Sequence, residues 1–229
     1  LEKSYKMALG HFVKKGLFVS AFLANVSLGK SFFTRRSMAS MSFTSTLITP
    51  QQLKTALDAN PSKTRVLDAS WHMNKSRNAT AEFLDARIPS SVFFDIDAIA
   101  DTSSSLPHML PTPEFFANAA AEMGICKDTS VVVYTTENCF SAARCWWEFK
   151  CFGHDKVHVL NGGLPAWKAA GLPTDTGPFT APPANEGEPL TAELNPDMVW
   201  SANQVLEVVS AGSGGGVAVV DARGGGRFR

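Results

Sequence analysis

The feature that most constrains the fold is an alternation of short apolar strands with short helical segments. The run SVVVY at 130–134 is almost continuously apolar and β-branched, which is typical of a parallel strand covered on both faces. Strands are also predicted in RVLDAS at 65–70, SVFFDI at 91–96 and KVHVLNGG at 156–163. Because helical segments separate these runs, the chain is predicted to be α/β, with a mainly parallel central sheet flanked by helices.

Two capped helices are predicted between these strands. The segments at 49–59 and 112–125 each begin with a threonine cap, followed by proline at the first helical position. Apolar residues then recur at helical spacing. In the second helix, the predicted buried face consists of Phe115, Phe116, Ala119, Ala120 and Met123.

Two further helices are predicted after the strands at 130–134 and 156–163. The first carries Trp146, Trp147 and Phe149, and such a cluster favours a core, or a face against a second domain, over a platform for nucleic acid. The second begins after a pair of glycines that permit a tight passage from strand to helix.

Residues 1–43 are predicted to be a targeting leader. Glu2 is the only acidic residue there, and basic, hydroxyl and apolar residues are frequent, as in mitochondrial transit peptides. The apolar run at 17–26 also fits a secretory or plastid leader, but it is too short to span a bilayer. We therefore expect a mitochondrial protein without stable membrane insertion. The alternatives are a secretory or plastid leader, and a cytoplasmic protein with a disordered extension.

Charge and cysteine usage exclude several classes of function. The 21 basic residues balance the 21 acidic ones, so no overall field would draw the chain to nucleic acid. Cys126, Cys145 and Cys151 form no C-x-x-C pair, and their spacing indicates neither a zinc site nor a disulfide framework. These three cysteines are predicted to be free thiols.

The C-terminal part of the chain predicts the start of a second, similar domain. Residues 174–199 are predicted to be a linker, because the stretch is rich in Pro, Gly, Thr and acidic residues and shows no sustained period. A capped helix at 201–212 and a strand at 216–223 then repeat the order of elements found at 49–70. A lone helix and strand cannot bury a core. Residues 200–229 are therefore expected to begin a truncated second domain.

Seven motifs, in this order, carry a resemblance to a known family: LDASWHM, FFDIDAIAD, LPHMLP, VVVY, FSAARCWWEFKCFGH, VLNGGLPAW and VVDARGGGRFR. Together they closely resemble the two-domain sulfurtransferases, the rhodanese and 3-mercaptopyruvate sulfurtransferase family, over residues 49–229. The resemblance implies two rhodanese-like domains, of which only the C-terminal one carries the catalytic cysteine. Residues 44–173 would then form the non-catalytic domain.

The resemblance also implies a two-step mechanism. A small donor, 3-mercaptopyruvate or thiosulfate, gives its outer sulfur to a cysteine thiolate, and the persulfide passes it to a thiol or cyanide acceptor, with thioredoxin as one candidate. No metal or organic cofactor is needed. The nucleophilic cysteine is expected beyond Arg229, so this chain alone is predicted to be inactive. The alternative is a catalytically inactive rhodanese-like module that binds partners or anions.

Thr135 takes the position that the family's catalytic cysteine would occupy in this domain. In the catalytic domain the cysteine directly follows the central strand, where loop amides and a helix N-terminus stabilise a thiolate. Here the residue after VVVY is Thr135, and a hydroxyl without a partner base carries no sulfur. Cys139 is predicted to fill an apolar slot at the helix start, and a reactive low-pKa thiol is the alternative.

Three residues are candidates for supporting roles. By resemblance, Asp97 and His108 face the catalytic loop, where a carboxylate and an imidazole would steer the donor's thiol proton. The alternative is that they only shape a loop. Arg227 matches the family's substrate-anion arginine, and Arg223 is assigned by the same resemblance to interdomain architecture. For Arg227 the alternative is a solvated basic turn.

Overall fold

The computed structural model describes residues 43–137, 140–180, 187–212 and 216–228. Its centre is a five-stranded sheet of order β1-β5-β4-β2-β3, in which every pair of neighbours is parallel. The strands are β1 (Leu47–Ile48), β2 (Thr64–Asp68), β3 (Val92–Phe93), β4 (Ser130–Tyr134) and β5 (Val157–Leu160).

Seven α-helices are described in these ranges. They are α1 (Pro50–Ala59), α2 (Ala79–Asp85), α3 (Pro113–Glu122), α4 (Ser141–Cys151), α5 (Gly163–Ala169), α6 (Ala202–Ala211) and α7 (Gly225–Phe228). Within the described residues, none of the helices is long and apolar enough to cross a membrane.

The predicted helix caps are present. The Thr49 hydroxyl accepts the Gln52 amide at 3.2 Å, and the Gln52 side chain accepts the Thr49 amide at 2.8 Å. This reciprocal capping box satisfies two amides that the first turn would otherwise leave unpaired. Thr112 caps α3 by accepting the Phe115 amide at 3.3 Å. Both predicted helix starts are therefore confirmed.

The core lies on both faces of the sheet, as expected for a parallel sheet flanked by helices. Residues of β4 point alternately into two apolar clusters. Val131 and Val133 enter the cluster that contains Phe116 and Phe149. Val132 and Tyr134 enter the other cluster, with Trp167. The sequence correctly identified β4 as a strand buried on both sides.

Two details of the predicted elements are wrong. The side chain of Phe115 is 48% exposed, because α3 buries a narrower stripe, in which Phe116, Ala120 and Met123 follow the spacing i, i+4, i+7. The strand predicted at 216–223 is not formed, and Val220 there is 82% exposed. A strand needs a neighbour for its backbone hydrogen bonds, and no described strand lies beside this segment.

The described parts of the predicted linker lie against the domain. Arg87 and Asp175 form an antiparallel bridge, and the Arg87 guanidinium donates to the carbonyl of Gly177 at 2.9 Å. Farther along, Leu190 is buried, and the Asn195 amide donates to the Cys151 carbonyl at 2.7 Å. These two segments, 174–180 and 187–196, are therefore fastened to the surface of the domain.

Phe43 packs against the domain, and Ser90 takes a left-handed backbone conformation. Only Phe43 of the predicted leader lies within the described residues, and its ring lies 4.9 Å from that of His158, so Phe43 belongs with the domain. Ser90 adopts a φ of 62°, a left-handed conformation that favours glycine. This serine lies in the turn just before β3.

Candidate functional site

The site that the sequence points to lies at the carboxyl edge of the sheet. Thr135 directly follows β4 and is only 7% exposed. Its carbonyl accepts the Leu164 amide at 3.0 Å, at the start of α5. A Cβ atom on Gly163 would lie 2.5 Å from that same carbonyl oxygen. Glycine is therefore required at position 163, because α5 begins in direct contact with the loop after β4.

A second contact fixes this loop to the end of β2. The amide of Thr136 donates to the Ser70 hydroxyl at 2.8 Å. Ser70 in turn donates to the Asp68 carboxylate, with its hydroxyl at 2.5 Å and its amide at 2.9 Å. Burial raises the pKa of Asp68. The loop therefore depends on a buried carboxyl group that the neighbouring strand supplies.

A pocket of about 390 Å³ opens beside the loop, and its lining includes Thr136, Glu82, Arg77 and Lys168. Glu82 accepts hydrogen bonds from two other residues of this lining, Arg77 and Thr136. It accepts two hydrogen bonds from Arg77, at 2.7 and 2.8 Å, and one from the Thr136 hydroxyl at 3.3 Å. The Arg77 hydrogen bonds lower the pKa of Glu82. Arg77 is thus already paired with a carboxylate of the chain itself.

Of the four cysteines, three are described and do not line this pocket, and Cys139 is outside the described residues. The predicted packing role of Cys139 therefore stays a prediction. Cys145 and Cys151 are buried free thiols, and Cys126 is a half-buried one. Burial raises the pKa of Cys145 well above its usual value and that of Cys151 to about 11. Neither buried cysteine is suited to act as a thiolate nucleophile.

Asp97 and His108, which are eleven positions apart in the sequence, lie together. The Nδ1 atom of His108 is 3.1 Å from an Asp97 oxygen, an ion-pair distance without the directional geometry of a hydrogen bond. Trp71 connects the two, since its indole N–H donates to Asp97 at 3.0 Å and its ring lies 5.0 Å from the imidazole, edge to face. The Asp97 side chain is 61% exposed and that of His108 is 25% exposed. The pair is therefore accessible from solvent.

Behind this pair lies a second ion pair, on α4. Arg144 donates to the His108 carbonyl at 2.5 Å, and its Nε atom is 3.6 Å from a Glu148 carboxylate oxygen. Its guanidinium also lies over the Trp147 ring, 4.8 Å from the centroid. Glu148 is 1% exposed, and this burial raises its pKa to about 7.

The arginines of the C-terminal segment are described only in part. Arg223 forms an ion pair with Asp221, with its NH2 group 2.5 Å from the carboxylate, and its amide bonds the same side chain at 2.9 Å. Arg227 lies in α7, and its side chain is outside the described part of the structure. Its role as an anion-binding residue therefore stays a prediction. In the described part of the chain, no group of three or more His, Cys, Asp and Glu residues could hold a metal ion.

The sequence placed Asp97 and His108 in one site but missed the residues that support them. Arg144 and Glu148 stand at i and i+4 on a predicted helix, a spacing that signals a possible ion pair. Nothing in that spacing indicates the contact of Arg144 with the His108 carbonyl, which joins residues distant in sequence. Ser70 ends a predicted strand and Glu82 lies in a segment without a sequence pattern, so neither is marked as part of a site.

Comparison with known proteins gives three kinds of match. The Rhodanese-like domain model matches residues 49–170. The mitochondrial thiosulfate/3-mercaptopyruvate sulfurtransferase 1 of Arabidopsis thaliana is 42% identical over 159 residues, covering 62% of this chain and 42% of that protein. The crystal structure of the 3-mercaptopyruvate sulfurtransferase SseA from Escherichia coli matches with a TM-score of 0.71 and 37% identity, over 81% of this chain and 68% of that one.

A third relative comes from yeast mitochondria. The sub-stoichiometric sulfur transferase subunit of complex I matches with a TM-score of 0.63 and 35% identity, over 72% of this chain and 58% of that one. The chain spans about half the length of the curated relatives it matches. The predicted α/β fold and the family resemblance are both confirmed, and the chain belongs to the family of rhodanese-like domain proteins.

Proposed function

We propose that the protein is a sulfurtransferase that moves sulfane sulfur from 3-mercaptopyruvate or thiosulfate to a thiol or cyanide, through a cysteine persulfide. The residues described as one rhodanese-like domain would be its non-catalytic half. The nucleophilic cysteine would then belong to a second domain beyond Arg229. Curated relatives from Arabidopsis, fission yeast and Escherichia coli carry names of this activity, and this supports the proposal.

The observation that carries the proposal is the accessible Asp97–His108 pair. Folding brings the two side chains to 3.1 Å, at a position where neither contributes to the apolar core. A solvent-accessible carboxylate and imidazole can together accept a proton and return it. The pair would therefore serve a donor that carries a thiol proton, which favours 3-mercaptopyruvate over thiosulfate.

The proposed first step can be written with all atoms balanced. A cysteine thiolate attacks the sulfur of 3-mercaptopyruvate, the S–S bond forms, and the C–S bond breaks with its electrons going to the methylene carbon. His108 takes the proton from the donor sulfur and delivers it to that carbon. The products are pyruvate and the cysteine persulfide. Asp97, 3.1 Å away, would orient the imidazole.

The test uses the full-length protein with each donor. Asp97→Asn and His108→Asn should lower kcat/KM for 3-mercaptopyruvate by about 10²-fold, the usual contribution of a positioned acid or base. The same variants should change the thiosulfate rate much less. Asp128→Asn is the matched control, since Asp128 is an exposed carboxylate paired with Lys156 just before β4, at the opposite edge of the sheet. Equal losses with both donors would reject the assigned role.

A second function has one observation in its favour. The pocket beside the loop after β4 is lined by Arg77, Glu82 and Lys168, and its described lining carries no thiol. A catalytically inactive binding module would need only such a pocket. If the full-length protein transfers no sulfur from either donor, this alternative replaces the enzyme.

Location and acceptor are further parts of the proposal. Residues 1–43 have the composition of a mitochondrial leader, and one relative is named as mitochondrial. We infer import into mitochondria, where a protein thiol such as that of thioredoxin would accept the sulfur. A fluorescent protein fused behind residues 1–43 should accumulate in mitochondria, and a diffuse cytoplasmic signal would contradict the inferred location.

A further inference from the structure

We propose that Arg144 is a positioning residue that holds His108 opposite Asp97. The proposal rests on the function proposed above, because the Asp97–His108 pair matters for sulfur transfer only if it handles the donor's proton. It concerns a residue of α4 that would touch neither donor nor acceptor. Arg144 would act only through the backbone of His108.

The first support is the backbone of His108 itself. Its φ is 56°, in the left-handed region, which a non-glycine residue occupies only when its surroundings hold it there. The Arg144 guanidinium supplies such a hold, since it donates to the His108 carbonyl at 2.5 Å. A charged donor makes a stronger hydrogen bond than a neutral one.

The second support is that Arg144 is itself fixed from two sides. Its Nε atom lies 3.6 Å from the Glu148 carboxylate, and its guanidinium stacks over the Trp147 ring at 4.8 Å. Both partners are on the same helix, α4, so the guanidinium is held by a rigid element. Glu148 is fully buried, and burying a carboxylate is unfavourable unless it is paired. A buried acid at this place is therefore accounted for if it pairs with Arg144.

The third support is the position of Trp71. Its indole N–H donates to Asp97 at 3.0 Å, and its ring packs edge to face against His108 at 5.0 Å. Trp71 thus contacts both members of the pair. A loop that carries His108 away from its present place would change the surroundings of this indole, which makes Trp71 a direct reporter of the arrangement.

The experiment compares Arg144→Gln with Lys150→Gln, the matched control. Lys150 is a cation on the same helix that pairs with Asp155, outside the cluster. In ¹H–¹⁵N spectra of this chain, Arg144→Gln should move the Trp71 indole signal by more than its linewidth and speed its solvent exchange at least several-fold. Lys150→Gln should leave this signal in place. Trp71→Phe assigns the signal.

The second readout is activity of the full-length protein. Arg144→Gln should lower kcat with 3-mercaptopyruvate about tenfold and leave KM nearly unchanged, because misplacing a reacting group weakens the chemical step more than binding. Arg144→Lys keeps the charge beside Glu148 but cannot stack a planar guanidinium over Trp147 while donating to the His108 carbonyl. The Arg144→Lys variant should therefore fold normally and still show a lowered kcat. It keeps the test possible if Arg144→Gln does not fold.

The outcomes separate the two proposals. If the wild-type protein transfers no sulfur, the proposed function fails, and the spectra of the chain still decide whether Arg144 holds the His108 loop. An unmoved Trp71 signal in both Arg144 variants would overturn the inference. A moved signal with unchanged kcat would overturn it as well, since the arrangement would then be irrelevant to the reaction.

Discussion

Replacing Glu148 with glutamine should make the domain more stable at neutral pH. The side chain is 1% exposed, and burial raises its pKa to about 7 from an ordinary 4.5. That value already includes the opposing attraction of Arg144. At 1.36 kcal/mol per pKa unit, the difference corresponds to roughly 3 kcal/mol of unfolding free energy. Glutamine keeps the shape of the side chain and carries no charge at any pH.

The sign follows from which state ionises first. Below pH 4.5, Glu148 is protonated in both the folded and the unfolded chain, so its ionisation does not affect stability. As pH rises, the unfolded chain loses the proton first, and the folded state is disfavoured progressively until pH passes its own pKa of about 7. Above that pH the full penalty of roughly 3 kcal/mol applies. The Glu148→Gln variant lacks this penalty, because glutamine does not ionise.

Urea unfolding of this chain and its variants between pH 4.5 and pH 8 measures the effect. The gap in unfolding free energy between Glu148→Gln and wild type should widen by roughly 3 kcal/mol over that range, with most of the change between pH 5 and pH 7. Glu122→Gln, an exposed carboxylate on α3, is the control and should show no such widening. A gap that stays constant with pH would refute the reasoning, because it would mean that Glu148 ionises equally easily in both states.

Three further predictions follow from the site and its surroundings. Incubation of this chain with thiosulfate or 3-mercaptopyruvate should give no persulfide, so intact mass spectrometry should show no gain of one sulfur atom; a stoichiometric gain would contradict the assignment of Thr135 to the position of the catalytic cysteine. Gly163→Ala should lower the unfolding free energy by about 2 kcal/mol or more, because its Cβ would lie 2.5 Å from the Thr135 carbonyl oxygen; a denaturant midpoint equal to wild type would exclude that contact. Ser90→Gly should raise the unfolding free energy by up to about 1 kcal/mol, because φ at this position is 62°, and a lower thermal midpoint would mean that the serine side chain makes a compensating contact.

The sequence predicted best those features that depend on neighbouring residues. The caps at Thr49 and Thr112 are local hydrogen bonds between residues three apart, so the local sequence is sufficient to predict them. The strand at 130–134 was equally clear, because a strand covered on both faces has to be apolar at every position. The glycines before α5 were also recognised from their place between a strand and a helix.

Features that depend on distant partners were predicted poorly or missed. Phe115 lies beside the buried stripe of α3, and periodicity alone cannot tell how wide a stripe its neighbours will cover. The valines at 217–220 have the composition of a strand, but strand formation requires a partner strand. The contact of Arg144 with His108 joins residues 36 positions apart. Such a contact becomes visible only when the helix and the loop are placed together in space.

The fastened segments 174–180 and 187–196 matter to anyone who wants to produce this domain by itself. A version trimmed at residue 173 would lose Phe179, whose ring lies 5.4 Å from that of the buried Phe83, and the buried side chain of Leu190. It would also leave the Arg87 guanidinium without two of its carbonyl acceptors. Trimming there would expose apolar surface and favour aggregation, whereas a cut placed after Pro196 would retain both segments.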